Sequence, residues 1–294
     1  MKFVLSLIAS PAAPVLDDAV VAGVCRHLGL DPVESNWLAR GVACDIPIDN
    51  AGEVQRQARQ FVAGRPIDAN VIAQDNRRKQ LLIADMDSTI IEQECIDELG
   101  IVAGAGEEIK EVTRRAMRGE LDFVESLRGR VALMRGLAAS AITDVIENRI
   151  TFVGGGRTLV QTMKANGAYC ALISGGFSHF TSHVAGVCGF DTHQANELII
   201  EDGVLTGKVA KPELGGAAKV TALNKLADEH RITVADAVAV GDGANDLGTL
   251  GLAGMGVAMH AKPAVREAAN TVIDHSDLTA LLYLQGYAKA EFAG

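Results

Sequence analysis

The chain is poor in aromatic residues: eight Phe, three Tyr and one Trp make up 4% of its 294 residues. Its apolar content, 48% by the broad count, is carried by Ala, Val, Leu and Ile, with 31 Gly beside them. That mix suits buried parallel strands covered by helices. The sequence also lacks any long basic run, and 27 Lys and Arg face 37 Asp and Glu for a formal net charge of -10. Nucleic acid and anionic membranes are therefore disfavoured partners, because both are held largely by clustered positive charge. Cysteine is sparse too. Cys25, Cys44, Cys95, Cys170 and Cys188 form an odd set without metal-ligand pair spacing, as expected for reduced, buried residues. No apolar run approaches a membrane span. Residues 3–9 are too short, and the single Lys2 is a poor flank for a signal peptide. A first β-strand with alternating burial, in a cytoplasmic protein, is the expectation.

Length favours two domains, placed at residues 1–75 and 76–294. The first reads as a small α+β unit. Residues 2–8 suit a strand. Asp17 and Asp18 open a helix with Val20, Val24 and Leu28 on one face. Asn50 and Glu53 have capping-box spacing ahead of a helix bearing Val54, Ala58, Phe61 and Val62, and residues 67–73 return as a strand. Residues 74–80, polar and including Arg77, Arg78 and Lys79, suit a linker.

From Leu81 onward short apolar runs alternate with helical segments. Strands are expected at 81–84, 168–173, 237–240, 255–259 and 271–273, and helices at 158–166 and 216–229. This rhythm predicts a Rossmann-like, doubly wound parallel sheet. Residues 91–150 carry helical pattern without a good strand and read as a helical insertion. A hairpin is expected over 198–209, turning at Asp202 and Gly203.

In open α/β sheets the site lies beyond the carboxyl ends of the strands. Three runs end in residues suited to chemistry. The first is followed by Asp85, Met86, Asp87, Ser88 and Thr89. Two carboxylates one residue apart can serve one as nucleophile and the other in proton transfer. The second ends in Ser174, Gly175 and Gly176, a hydroxyl beside open backbone N–H groups that suits phosphate oxygens. The third ends in Gly241, Asp242, Gly243, Ala244, Asn245 and Asp246, where exposed hard oxygens suit Mg²⁺.

These motifs, in this order, resemble the haloacid dehalogenase superfamily of phosphotransferases, and within it the phosphoserine phosphatase family. The resemblance covers roughly residues 81–281. It includes insertion segments at 92–98, at Ala116, Met117, Arg118 and Gly119, at Phe123, and at 126–131, which look like that family's substrate-selecting cap. The resemblance implies Asp85 as nucleophile and Asp87 as general acid and base. It implies Mg²⁺ held by the Asp85 carboxylate, the Asp87 carbonyl and Asp242, with Asp246 as a supporting acid. Ser174 and Gly175 would bind phosphate, Lys219 would neutralise it, and Asn245 would lie nearby. Glu94 and Arg130 would grip the amino acid, with Met117 and Phe123 lining the pocket. Met86 stands where many relatives have Phe. The implied reaction is Mg²⁺-dependent hydrolysis of O-phosphoserine through an aspartyl phosphate, the last step of serine biosynthesis. Two readings remain open for residues 1–75: an ACT-like amino-acid-binding domain, or a packing or dimerisation module that would make a homodimer. A receiver-type signalling module phosphorylated on aspartate is disfavoured by Asp87 and by the insertion. A sugar phosphate is disfavoured by Arg130 and Glu94.

Overall fold

The computed structural model describes residues 2–31, 35–117 and 120–294, with the side chains of Ala116 and Met117 also outside the description. The N-terminal unit runs β1 (Phe3–Ala9), α1 (Asp18–Leu28), β2 (Asn36–Ala39), β3 (Ala43–Ile48), α2 (Val54–Val62) and β4 (Ile67–Ala73). Its strands form an antiparallel sheet in the order β2-β3-β1-β4, the split βαβ arrangement of ferredoxin-like units. Asp17 caps α1 by accepting a hydrogen bond from the Val20 N–H at 2.8 Å, and Gly29, at φ 67°, ends it.

The larger unit continues with β5 (Leu81–Ala84), α3 (Cys95–Val102), α4 (Gly106–Met117), α5 (Phe123–Ala132), α6 (Ser140–Arg149), α7 (Gly156–Ala165), β6 (Tyr169–Phe177), α8 (Ser178–Cys188) and β7 (Thr192–Asn196). A hairpin of β8 (Leu198–Glu201) and β9 (Val204–Val209) follows, then α9 (Gly216–Glu229), β10 (Ala237–Gly241), α10 (Leu247–Leu252), β11 (Met255–Met259), α11 (Pro263–Ala268), β12 (Thr271–Ile273) and α12 (Ala280–Leu284). Six strands form a parallel sheet in the order β12-β11-β10-β5-β6-β7. Its pleat explains the continuous apolar runs. Leu82 and Ala84 face one core with Leu159, Val160 and Met163, while Leu81 and Ile83 face a second core with Leu223 and Leu226. The hairpin turns at Asp202 and Gly203, both at positive φ, as a tight primed turn requires.

Helices α3 to α6 form the expected insertion, a cap over the carboxyl edge of the sheet. The hairpin braces it: Leu205 N–H donates to Leu137 O at 2.8 Å, and Gly136 N–H to Leu205 O at 2.8 Å. Asp122 and Glu125 make a reciprocal capping box that fixes the start of α5. Among the described residues no helix is long and apolar enough to cross a membrane. All five cysteines are free and buried.

Several expectations are corrected. Strand β1 is buried on both faces and does not alternate. Leu5 and Leu7 pack under α1 and α2, while Val4 and Ile8 enter the core of the larger unit beside α12. Asn50 does not cap α2; it closes a turn by accepting from the Gly52 N–H at 3.0 Å, and the helix starts after Glu53 without a side-chain cap. Strands β2, β3 and β7 were not anticipated, since they are short or carry polar residues such as Thr192, His193 and Gln194.

The expected linker is clamped at several points. Arg77 donates to both Asp45 oxygens at 2.6 and 3.1 Å and to the carbonyls of Tyr283 and Leu284, with its side chain 10% exposed and that of Asp45 4% exposed. Asn70 pairs with Val272 through both its carboxamide atoms, in the manner of a strand neighbour. The Asp68 carboxylate accepts the backbone N–H groups of Asp274, His275 and Ser276. The N-terminal sheet thereby covers the β12 edge of the parallel sheet. Asp45→Ala strands a buried guanidinium and is expected to destabilise the fold by about 3–5 kcal/mol. Chemical denaturation of the full chain measures this, and a change below about 1 kcal/mol would mean that water satisfies Arg77.

Candidate active site

The registers of the central strands decide which side chains meet. Ala84 pairs with Leu172 on one side and Val240 on the other, and Gly241 pairs with Ala258. The residues just past these pairs therefore emerge together at one edge. Asp85, Ser174 and Asp242 are buried there, beside a cavity of about 700 Å³ that reaches up between the sheet and the cap.

Asp85 is held by its own turn: its Oδ1 accepts the Met86 N–H at 2.7 Å. The Met86 carbonyl accepts from Thr89, Ile90 and Ile91, which coils the loop and buries the Met86 side chain in the core. Asp87 Oδ1 accepts the Cys95 N–H at 3.1 Å, at the start of α3. Gly176 approaches the same carboxylate so closely that a Cβ there would stand 2.5 Å from Asp87 Oδ2. Ser174 Oγ accepts the Gly176 N–H at 2.9 Å.

Lys219 organises the floor. Its ammonium lies 2.7 Å from Asp85 Oδ2 and 2.6 Å from Asp246 Oδ1, with the side chain 3% exposed. Burial alone would favour the neutral amine, but the two carboxylates outweigh it and hold the pKa above its ordinary value. Asp246 Oδ2 also accepts the Gly243 N–H at 3.1 Å. Burial and then the nearby Asp85 push the Asp246 carboxyl up to about 7. Burial and then Glu94 push Asp87 to about 7 as well. That places Asp87 where a carboxyl can both give and take a proton near neutrality. Asp85, Asp242 and Asp246 each offer a carboxylate oxygen within 4.8 Å of one another, a hard donor set of the kind Mg²⁺ accepts.

The cavity roof comes from the cap. Glu94 accepts from Ser88 Oγ at 3.0 Å, and Arg130 donates from Nε to Ser126 O at 3.4 Å. Both line the cavity, and among the described residues they are not paired with each other. Phe123 lies against Gly175 and Gly215, where a Cβ on Gly215 would stand 2.8 Å from its ring. Arg128 of the cap bonds Glu213 below at 2.7 Å. Asn196 ties the end of β6 to that segment: Nδ2 donates to Gly175 O and Leu214 O, and Oδ1 accepts from the Leu214 N–H.

Ten residues expected at the site, Asp85, Asp87, Glu94, Phe123, Arg130, Ser174, Gly175, Lys219, Asp242 and Asn245, lie along this cavity or directly beneath it. Asp246 supports the floor behind Lys219. Met117 closes α4, but its side chain is outside the description. Sequence reasoning missed Lys262, which follows β11 and reaches Asp242 Oδ2 at 3.2 Å. It also missed Asp97, which faces the cavity one helical turn past Glu94. The signal for Lys262 was available, because β11 is a further parallel strand ending at the same edge.

Fold and site together define a Rossmann-like enzyme framework with an aspartate-lined site beneath a helical cap. The haloacid dehalogenase-like hydrolase family matches residues 82–251, and the chain belongs to that superfamily and, within it, to the phosphoserine phosphatase family. It is 42% identical over 215 residues to a phosphoserine phosphatase of Mycobacterium tuberculosis, covering 73% of this chain and 52% of that protein. It is 36% identical over 258 residues to that of Saccharomyces cerevisiae, covering 85% and 84%. Against the mycobacterial and Streptomyces coelicolor relatives the chain spans little more than half of their length. Among solved structures, a probable phosphoserine phosphatase from Vibrio cholerae superposes with a TM-score of 0.80 at 30% identity, covering 99% of this chain and 88% of that one. A substrate-bound phosphoserine phosphatase superposes at 0.66 with 39% identity, covering 70% and 98%.

Removing the Lys219 charge leaves Asp85 and Asp246 facing each other in a dry floor. Lys219→Met is expected to lose at least about 3 kcal/mol of stability in EDTA, and adding Asp246→Asn should restore part of it. A double-mutant cycle by urea unfolding checks this; additive losses would show that the pair does not interact through Lys219.

Proposed function

We propose that the protein hydrolyses O-phosphoserine to serine and inorganic phosphate with Mg²⁺, as the closing step of serine biosynthesis, in the cytoplasm. The observation that carries this reading is the division of one cavity between phosphate chemistry on its floor and a separate Glu94 and Arg130 in its cap. A sugar phosphate gives that pair nothing to do. Phosphoserine offers an ammonium to Glu94 and a carboxylate to the guanidinium fork of Arg130.

In the proposed reaction Asp85 attacks phosphorus and the bond to the seryl oxygen breaks. Asp87, whose raised pKa keeps it partly protonated, gives its proton to that leaving oxygen. Asp87 then takes a proton from water, which attacks the aspartyl phosphate, releases phosphate and regenerates Asp85. Ser174 and the open backbone at Gly175 hold phosphate oxygens, Asn245 stands beside them, and Lys219 neutralises charge from below. Asp85, Asp242 and the Asp87 carbonyl would hold Mg²⁺, which would screen the repulsion between anionic nucleophile and anionic ester. Asp246 has both oxygens engaged by Lys219 and Gly243, which suits a bracing role. Phe123 packs across the cavity wall, where it would exclude water once substrate is enclosed. The N-terminal unit is read as a docked packing module with an ACT-like topology, and residues 1–75 and 76–294 as the two domains.

Phosphate release from O-phosphoserine should require Mg²⁺, stop with EDTA and return when Mg²⁺ is restored. Asp85→Asn should abolish turnover and the acid-stable phosphoenzyme; full activity in a homogeneous sample would sink the mechanism.

Arg130→Ala should cost about 2–5 kcal/mol in kcat/KM for phosphoserine and far less for phosphoethanolamine, which lacks the carboxylate. Glu94→Gln should instead weaken only substrates bearing the ammonium. Equal losses on all substrates would show that the two residues support cap closure and do not read the amino acid.

A further inference from the structure

We propose that Lys262 is a built-in counter-cation of the acidic cluster: it holds Asp242 when no dication is bound, and so sets how tightly the site takes its metal. The inference rests on the reading that these carboxylates bind Mg²⁺. Among the described residues, six acidic side chains line the cavity, Asp85, Asp87, Glu94, Asp97, Asp122 and Asp242, against two cations, Arg130 and Lys262. Lys219, beneath them, is already committed to Asp85 and Asp246. Arg130 sits in the cap and is bonded to Ser126 O. Among the described residues that leaves Lys262 as the cation within reach of Asp242, with Nζ 3.2 Å from Oδ2 and 4.0 Å from Glu94 Oε1.

The lysine is aimed by its backbone. Its N–H donates to Asp242 O at 3.1 Å, and its carbonyl accepts from the N–H groups of Val265 and Arg266 at 2.9 and 3.0 Å. It stands at the N-cap of α11, where a positive charge does nothing for the helix. An ordinary solvated lysine would not be fixed on both sides and directed into a carboxylate pair. Its side chain is 52% exposed, so it can yield Asp242 to an incoming dication without a buried charge being stranded.

A monovalent cation beside a metal ligand opposes the dication by charge repulsion, even while it keeps the ligand in place. The two consequences have opposite signs. Titration calorimetry with MgCl₂ on the metal-free full chain should give Lys262→Met an affinity about threefold or more tighter than wild type. Its melting temperature in EDTA should fall by several degrees, and the gap should close at saturating Mg²⁺. Lys262→Arg should follow wild type in both measurements, and Lys262→Gln, which keeps a donor toward Asp242, should follow Lys262→Met in Mg²⁺ affinity. Equal or weaker Mg²⁺ binding by both neutral variants, with wild type binding normally, would overturn the counter-cation role. Absence of Mg²⁺ binding by wild type would overturn the metal assignment itself, and the inference with it.

Discussion

The ion pairs that Lys219 makes with Asp85 and Asp246 are the constraint around which the active end of the molecule is built. A parallel sheet brings several strand ends to one edge, and here two of them, β5 and β10, deliver carboxylates into a floor largely closed to water. Unscreened, those carboxylates would repel one another or take up protons. A buried ammonium between two of them resolves the conflict by geometry, at the cost of desolvating all three charges. Its position is dictated by α9, whose first turns pass beneath the Gly241 to Asp246 loop, so helix packing and electrostatics specify the same placement.

What the sequence revealed follows from where information is local. The strands at 81–84, 255–259 and 271–273 and the helix at 216–229 were legible because each is a continuous apolar or periodic segment ended by a glycine, aspartate or turn. The candidate site was legible because its residues follow the strands expected at 81–84, 168–173 and 237–240 directly, and because the cap segments resemble a known family. What failed was non-local. Whether β1 is covered on one face or two depends on α12, more than 270 residues away, and nothing in residues 3–9 encodes it. Asn50 has the spacing of a cap, yet its carboxamide is captured by a nearer N–H. Residues 74–80 look like a linker because they are polar, but their polar groups are used in docking, with Arg77 spanning Asp45 and the carbonyls of α12.

The docked N-terminal sheet has a mechanical consequence for the site. It covers the β12 edge through Asn70 and Asp68, and β12 supports β11, whose following loop carries Lys262. His260, in that loop, donates its N–H to Ile273 O at 2.8 Å, and its ring is bonded to Ser276 O. A strand of three residues is a weak edge by itself. Pairing its outer side with Asn70 and capping the chain beyond it with Asp68 keep the edge from fraying, and with it the segment from which Lys262 approaches Asp242.

The cap side is organised on a different principle. The floor is fixed by buried charge, whereas the roof is joined to it by a small apolar seat and hydrogen bonds. Phe123 rests on Gly175 and Gly215, and a Cβ at Gly215 would stand 2.8 Å from the ring and push it away. Asn196 locks those glycine segments to each other, and Arg128 reaches Glu213 within the same stretch. In the proposed reaction cap closure would bear on the phosphate site, because the surface on which Phe123 seats is the backbone that would hold the phosphate. A cap that opened would have to release the ring and the Arg128–Glu213 pair, whose arginine is half-exposed, while the charges beneath remained in place. In the proposed function, selection in the roof and chemistry in the floor would be separate in energy and yet share one piece of backbone.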